Sequence, residues 1–98
     1  MYLGDYENYR FVIYRYSTKT KQYSFCCGCD DPKDAFNKAR LTGKSMDDCI
    51  DEYGIEFTPD EVRVYEIPME KVVAIYNESG MVKIDYNIGR KKKPPWHD

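Results

Sequence analysis

Three of the chain's four cysteines, Cys26, Cys27 and Cys29, fall within four positions, and the fourth is Cys49. Cys26 and Cys29 make a C-x2-C pair, a spacing that suits a structural zinc site or a thiol redox couple. A closed zinc site draws four ligands, commonly as two close pairs. The only other soft ligands are Cys49 and His97, so a zinc-stabilised adaptor would need a distant cysteine and a tail histidine to converge. A reactive C-x-x-C sits at a helix N-terminus, where the dipole lowers the thiol pKa. Here Asp30 and Asp31 intervene, and their charge opposes thiolate formation. The cysteines are therefore expected to be structural. Strand alternation would place Cys27 with Tyr23 and Phe25, and a helical stripe would take Cys49, both as small core hydrophobes. Cys26 and Cys29 would border the other face or the turn, as the more readily labelled thiols.

The remaining chemistry is sparse. His97 is the sole histidine and stands next to the C-terminal residue, where nothing in the sequence would hold it for a Cys-His nucleophile. None of G-x-x-x-x-G-K, G-x-G-x-x-G and G-x-S-x-G occurs, and "DDPKD" lacks the glycine and the closing Glu of a calcium loop. Neither a cofactor nor an enzymatic activity is expected.

Carboxylates are the most concentrated polar feature. From Ser45 to Glu61 there are seven acids, Asp47, Asp48, Asp51, Glu52, Glu56, Asp60 and Glu61, and no base, whereas Arg90 to Lys93 is a run of four bases. With a net charge of only −2, the segregation says more than the total. An acidic array of this kind steers association with a basic surface. The Tyr- and Arg-bearing strands, with Tyr14, Tyr16, Tyr23 and Tyr65 near Arg10, Arg15, Lys19, Lys21 and Arg63, offer the ingredients of a single-strand nucleic-acid platform instead. The RNP signature of such platforms is missing from "RFVIYRY".

The elements that must position these groups follow from patterning. "RFVIYRYSTKTKQYSFCC" reads as a hairpin, with Val12, Tyr14 and Tyr16 on one face and Phe11, Ile13 and Arg15 on the other. At "DDPKDAF", Asp31 as N-cap, Pro32 in the first turn and Asp34 on the positive end of the dipole predict a helix that ends or bends at Gly43. "SMDDCIDEYG" predicts a second, short helix: Ser45 and Asp48 resemble a capping box, and Met46, Cys49, Ile50 and Tyr53 form an i, i+3, i+4, i+7 stripe. Thr58 would cap one further turn. "VRVYEI", "EKVVAIY" and "MVKIDY" read as three strands, the last two joined at "NESG"; a helix over 70–76 is the alternative for the second of them. The expected fold is α+β, an antiparallel sheet of about five strands in the order β-β-α-α-β-β-β with two short helices on one face. Residues 1–88 would form the single domain and 89–98 a mobile basic tail.

Two leucines and three alanines against ten tyrosines mean a core of Val, Ile, Phe and tyrosine ring faces. With no export signal or apolar span, the expected location is cytoplasmic, with no membrane contact and reduced thiols. The expected role is non-catalytic binding of a protein partner with a basic surface, through an acidic helical face of Asp47, Asp48, Asp51 and Glu52 extended by Glu56, Asp60 and Glu61. One specific form is an inhibitor or regulator that occupies the groove of a nucleic-acid-handling protein. A free-standing accessory protein encoded by a phage or mobile element is one example of such a role, and the Leu- and Ala-poor, Lys- and Tyr-rich usage suits an AT-rich coding source. Direct nucleic-acid binding and a zinc-stabilised adaptor are the alternatives.

Overall fold

In the computed structural model, which describes residues 2–85, the β-rich runs form strands where their patterning predicts them. Phe11–Tyr16 (β1) and Tyr23–Cys29 (β2) form an antiparallel hairpin, and Pro32–Gly43 follows as helix α1. Cys49–Ile50 (β3) and Glu56–Phe57 (β4) make a separate small hairpin. Glu61–Glu66 (β5), Lys71–Asn77 (β6) and Gly80–Ile84 (β7) form a meander. Because β1 also pairs with β5, the main sheet is five-stranded and antiparallel, in the order β2-β1-β5-β6-β7. The architecture is α+β, and residues 71–77 are strand.

Helix α1 starts where the sequence stops it from starting earlier. Asp31 is extended and its carboxylate accepts the Asp34 N–H at 3.1 Å, satisfying a donor that the first turn leaves unpaired. Pro32 follows, with no N–H to lose. Ala35, Ala39 and Gly43 form one buried stripe four residues apart, and these small groups let the helix lie close against β5, β6 and β1. A Cβ on Gly43 would stand 3.1 Å from the Asn77 carbonyl oxygen. Under the helix, Phe11, Ile13, Val62, Val64, Ala74 and Tyr76 build the core. Overpacking this contact should be costly: Ala39→Leu is expected to destabilise by about 2 kcal/mol, read as a lower midpoint in urea.

The second helix is not there. Residues 45–48 are irregular, and the β3–β4 hairpin occupies the rest of the stretch. The competing signal is "DEYG": Asp at the first and Gly at the fourth position of a β-turn. Gly54 N–H bonds to the Asp51 carbonyl at 3.0 Å, and Gly54 has φ 79°. The Asp51 carboxylate accepts the Tyr53 and Ile55 N–H groups at 2.9 Å each, so the side chain stabilises the turn in place of a helical ladder. Ser45 and Asp48 do not form a capping box either: Ser45 Oγ donates to Asp47, and Thr58 donates across the hairpin to Asp48 at 2.8 Å. Thr58 caps no turn, since 58–60 is irregular.

A bulge changes the faces of β2. Ile13 pairs with Cys27 and Tyr14 with Phe25, leaving Cys26 as the extra residue. Beyond it the alternation is out of phase, so Cys27 and Cys29 point to the helix layer with Ile13 and Phe11, opposite to Tyr23 and Phe25. Cys29, expected to be accessible, is buried. No helix among the described residues is long and apolar enough to cross a membrane.

Candidate functional site

The acidic segment folds around β3 and β4, and its carboxylates divide into two groups. Asp60 and Glu61 are engaged by the main sheet. Thr18 donates to Asp60 through both its N–H (2.9 Å) and its hydroxyl, pinning the β1–β2 loop to the start of β5. Partial burial pushes the Asp60 carboxyl up, but these hydrogen bonds and the Lys19 charge hold it below the usual range. Glu61 pairs with Arg63 at 2.8 Å. Asp51 is also committed, since Gln22 adds a 2.9 Å hydrogen bond to the two from the turn. The Gln22 bond leads in holding its carboxyl below the usual range, followed by the Ile55 N–H.

Asp47, Asp48, Glu52 and Glu56 are exposed on or beside the hairpin. They share it with Ile50, Tyr53 and Ile55, which are 58 %, 80 % and 58 % exposed. Patterning places Ile50 and Tyr53 in a helical core stripe, whereas the turn puts both on the surface. The structure therefore brings four of the seven expected acids together with apolar groups, on a hairpin instead of a helical face. A cleft of about 430 Å³ runs between residues 20–23 of the β1–β2 connection and residues 51–55 of the hairpin. Glu52 Oε1 lies 3.4 Å from the Tyr23 hydroxyl at this cleft. Burial, and then the Glu52 charge, push the Tyr23 hydroxyl pKa up.

The aromatic face of the sheet is built differently from a stacking platform. Tyr14 is buried and meets Tyr16, Tyr23 and Phe25 edge-on at 6.1 to 6.3 Å. Arg63 lies 3.9 Å over the Tyr16 ring, and Tyr6 of the 3-10 turn Gly4–Tyr6 packs 5.2 Å from Phe25. Tyr9 covers Gly28 so closely that a Cβ there would be 2.3 Å from its ring. These faces are already in use within the fold. The bases do not converge either: Arg15 reaches Cys26 and the Ser45 carbonyl, and Arg10 pairs with buried Glu66 at 3.3 Å. The basic tail, with Trp96 and His97, lies outside the described residues.

Arg15 Nη1 donates to Cys26 Sγ at 3.0 Å, and Cys49 Sγ lies 3.3 Å from the Asp47 carbonyl. Burial pushes the Cys27 thiol up to about 11 and raises that of Cys49. Among the described residues no three His, Cys, Asp or Glu side chains are arranged to hold a metal ion. In native labelling at pH 8 Cys26 should react first and Cys29 at least about 100-fold more slowly, because Cys29 needs the sheet to open. Mass spectrometry of labelled peptides reads the order.

No family model matches the chain, nor does any curated protein or solved structure. Its class is therefore defined by architecture and surface: a small α+β domain carrying an acidic, apolar-tipped hairpin beside its sheet.

Proposed function

We propose that the chain is a non-catalytic binding protein that engages the basic surface of a protein partner through the β3–β4 hairpin. The observation that carries this reading is the exposure of Ile50, Tyr53 and Ile55 among Asp47, Asp48, Glu52 and Glu56. Protein interfaces combine apolar and aromatic anchors with a polar rim. Acids on the rim accelerate encounter with a basic partner and exclude acidic ones. A groove built for phosphates is one basic surface of the right charge, so an inhibitor or regulator of a nucleic-acid-handling protein is the specific form we favour.

The test is native mass spectrometry of the protein purified gently from its source cells, with and without nuclease. A nuclease-resistant complex with a basic protein is expected. Replacing Glu52 and Glu56 together by glutamine should weaken it about tenfold and reduce its salt dependence. A complex indifferent to both salt and these substitutions, or one lost to nuclease, would overturn the proposal.

A further inference from the structure

We infer that the cleft between the β1–β2 connection and the β3–β4 hairpin receives an arginine side chain of the basic partner; the inference rests on the reading above and names its anchor. The cleft holds about 430 Å³ and is lined by Tyr23, Glu52, Tyr53 and Ile55 together with Asp51 and Lys21. A second groove of about 150 Å³ along Tyr23–Phe25 and Ile50–Glu52 shares Tyr23, Asp51 and Glu52 with it.

Each lining group has a distinct availability. Asp51 already accepts three hydrogen bonds, two from the turn and one from Gln22, so its carboxylate is occupied in holding the cleft's shape. Glu52 has one long contact, 3.4 Å from the Tyr23 hydroxyl, which leaves most of its acceptor capacity to a ligand. Tyr53 is 80 % exposed, and its ring is free to cover a planar cation. Ile55 supplies apolar surface for a methylene stem. A carboxylate beside two tyrosine rings suits guanidinium better than ammonium, because guanidinium is planar, weakly hydrated, stacks on rings and presents paired donors to a carboxylate. The Lys21 charge opposes any cation, but its side chain is exposed and screened by solvent.

The experiment titrates the isotope-labelled full chain with acetylated octa-arginine and, separately, octa-lysine at low salt, following backbone and tyrosine ring signals by NMR. Octa-arginine should shift signals of Tyr23, Glu52, Tyr53 and Ile55 most, and should bind about fivefold more tightly than octa-lysine. Tyr53→Ala, which leaves every charge in place, should weaken octa-arginine binding about fivefold, and Glu52→Gln by a similar factor. Equal binding of the two peptides, with shifts spread over Asp47, Asp48 and Glu56 and no effect of Tyr53→Ala, would overturn the arginine slot while leaving the acidic hairpin as a binding surface. Absence of shifts with either peptide would also overturn the slot, and the acidic reading would then be decided separately by the glutamine substitutions in the native complex.

Discussion

Phe11→Ala should lower the unfolding free energy by about 4 kcal/mol. Phe11 is the largest of the fully buried side chains, and it sits where all the layers meet. On β1 it faces Cys29 across to β2 and Glu66 across to β5. From the helix, the Phe36 ring approaches to 6.5 Å, and the Arg10 guanidinium lies 4.9 Å over the Phe11 ring. Truncation would remove the apolar transfer energy and leave a cavity that a five-stranded sheet and a helix resting on small residues are poorly able to close. A domain of this size has only about 5 to 15 kcal/mol in total, so a large share would go. Urea denaturation should show a lower midpoint with an unchanged slope. A loss under about 1 kcal/mol would mean that the core is centred elsewhere.

The parts of the fold legible in the sequence are those whose signals are local. The β1–β2 hairpin follows from alternation, the start of α1 from Asp31 and Pro32, and β6 from its Val-Val-x-Ile-Tyr content. The hairpin at Cys49–Phe57 is illegible because the ten residues Ser45–Gly54 that lead into it satisfy two patterns. A helical stripe and an Asp-to-Gly turn coexist there, and what favours the turn includes Gln22, 29 residues upstream. The bulge at Cys26 was hidden for a related reason, since alternation has no mark for an extra residue and every later side chain changes face with it.

For the candidate site, the concentration of acids was legible but their availability was not. Asp60, Glu61 and Asp51 are engaged by Thr18, Arg63 and Gln22, and two of these three partners are remote in sequence. Ile50, Tyr53 and Ile55 carried a usable signal all the same. Three large apolar residues inside a segment with seven acids and no base are expensive to expose without a use.

Asp51→Ala provides the sharpest separation of binding from stability. Its carboxylate joins Gln22, Tyr53 and Ile55, so its loss releases the turn and its tie to the sheet together, while the core strands and α1 keep their contacts. The melting temperature should move by less than about 3 °C, because the hairpin contributes few residues to the core. The Tyr53 and Ile55 amides should exchange with solvent about tenfold faster. Partner affinity should fall about 100-fold, since Glu52, Tyr53 and Ile55 lose their shared geometry at once and anchors act together.

The pH dependence follows from the direction of the shift. The Asp51 carboxyl is held below its ordinary value, chiefly by the Gln22 hydrogen bond, so its stabilisation of the hairpin is fully present above the unfolded pKa of about 4. It is lost as the pH falls through the lowered folded value. In the wild-type protein, exchange at Tyr53 and Ile55, corrected for the intrinsic rate, should therefore rise on acidification before the core amides open, and in Asp51→Ala it should be flat over that range. An Asp51→Ala protein that keeps full affinity would show that the partner reads the acidic charge of the segment and not the shape of the hairpin.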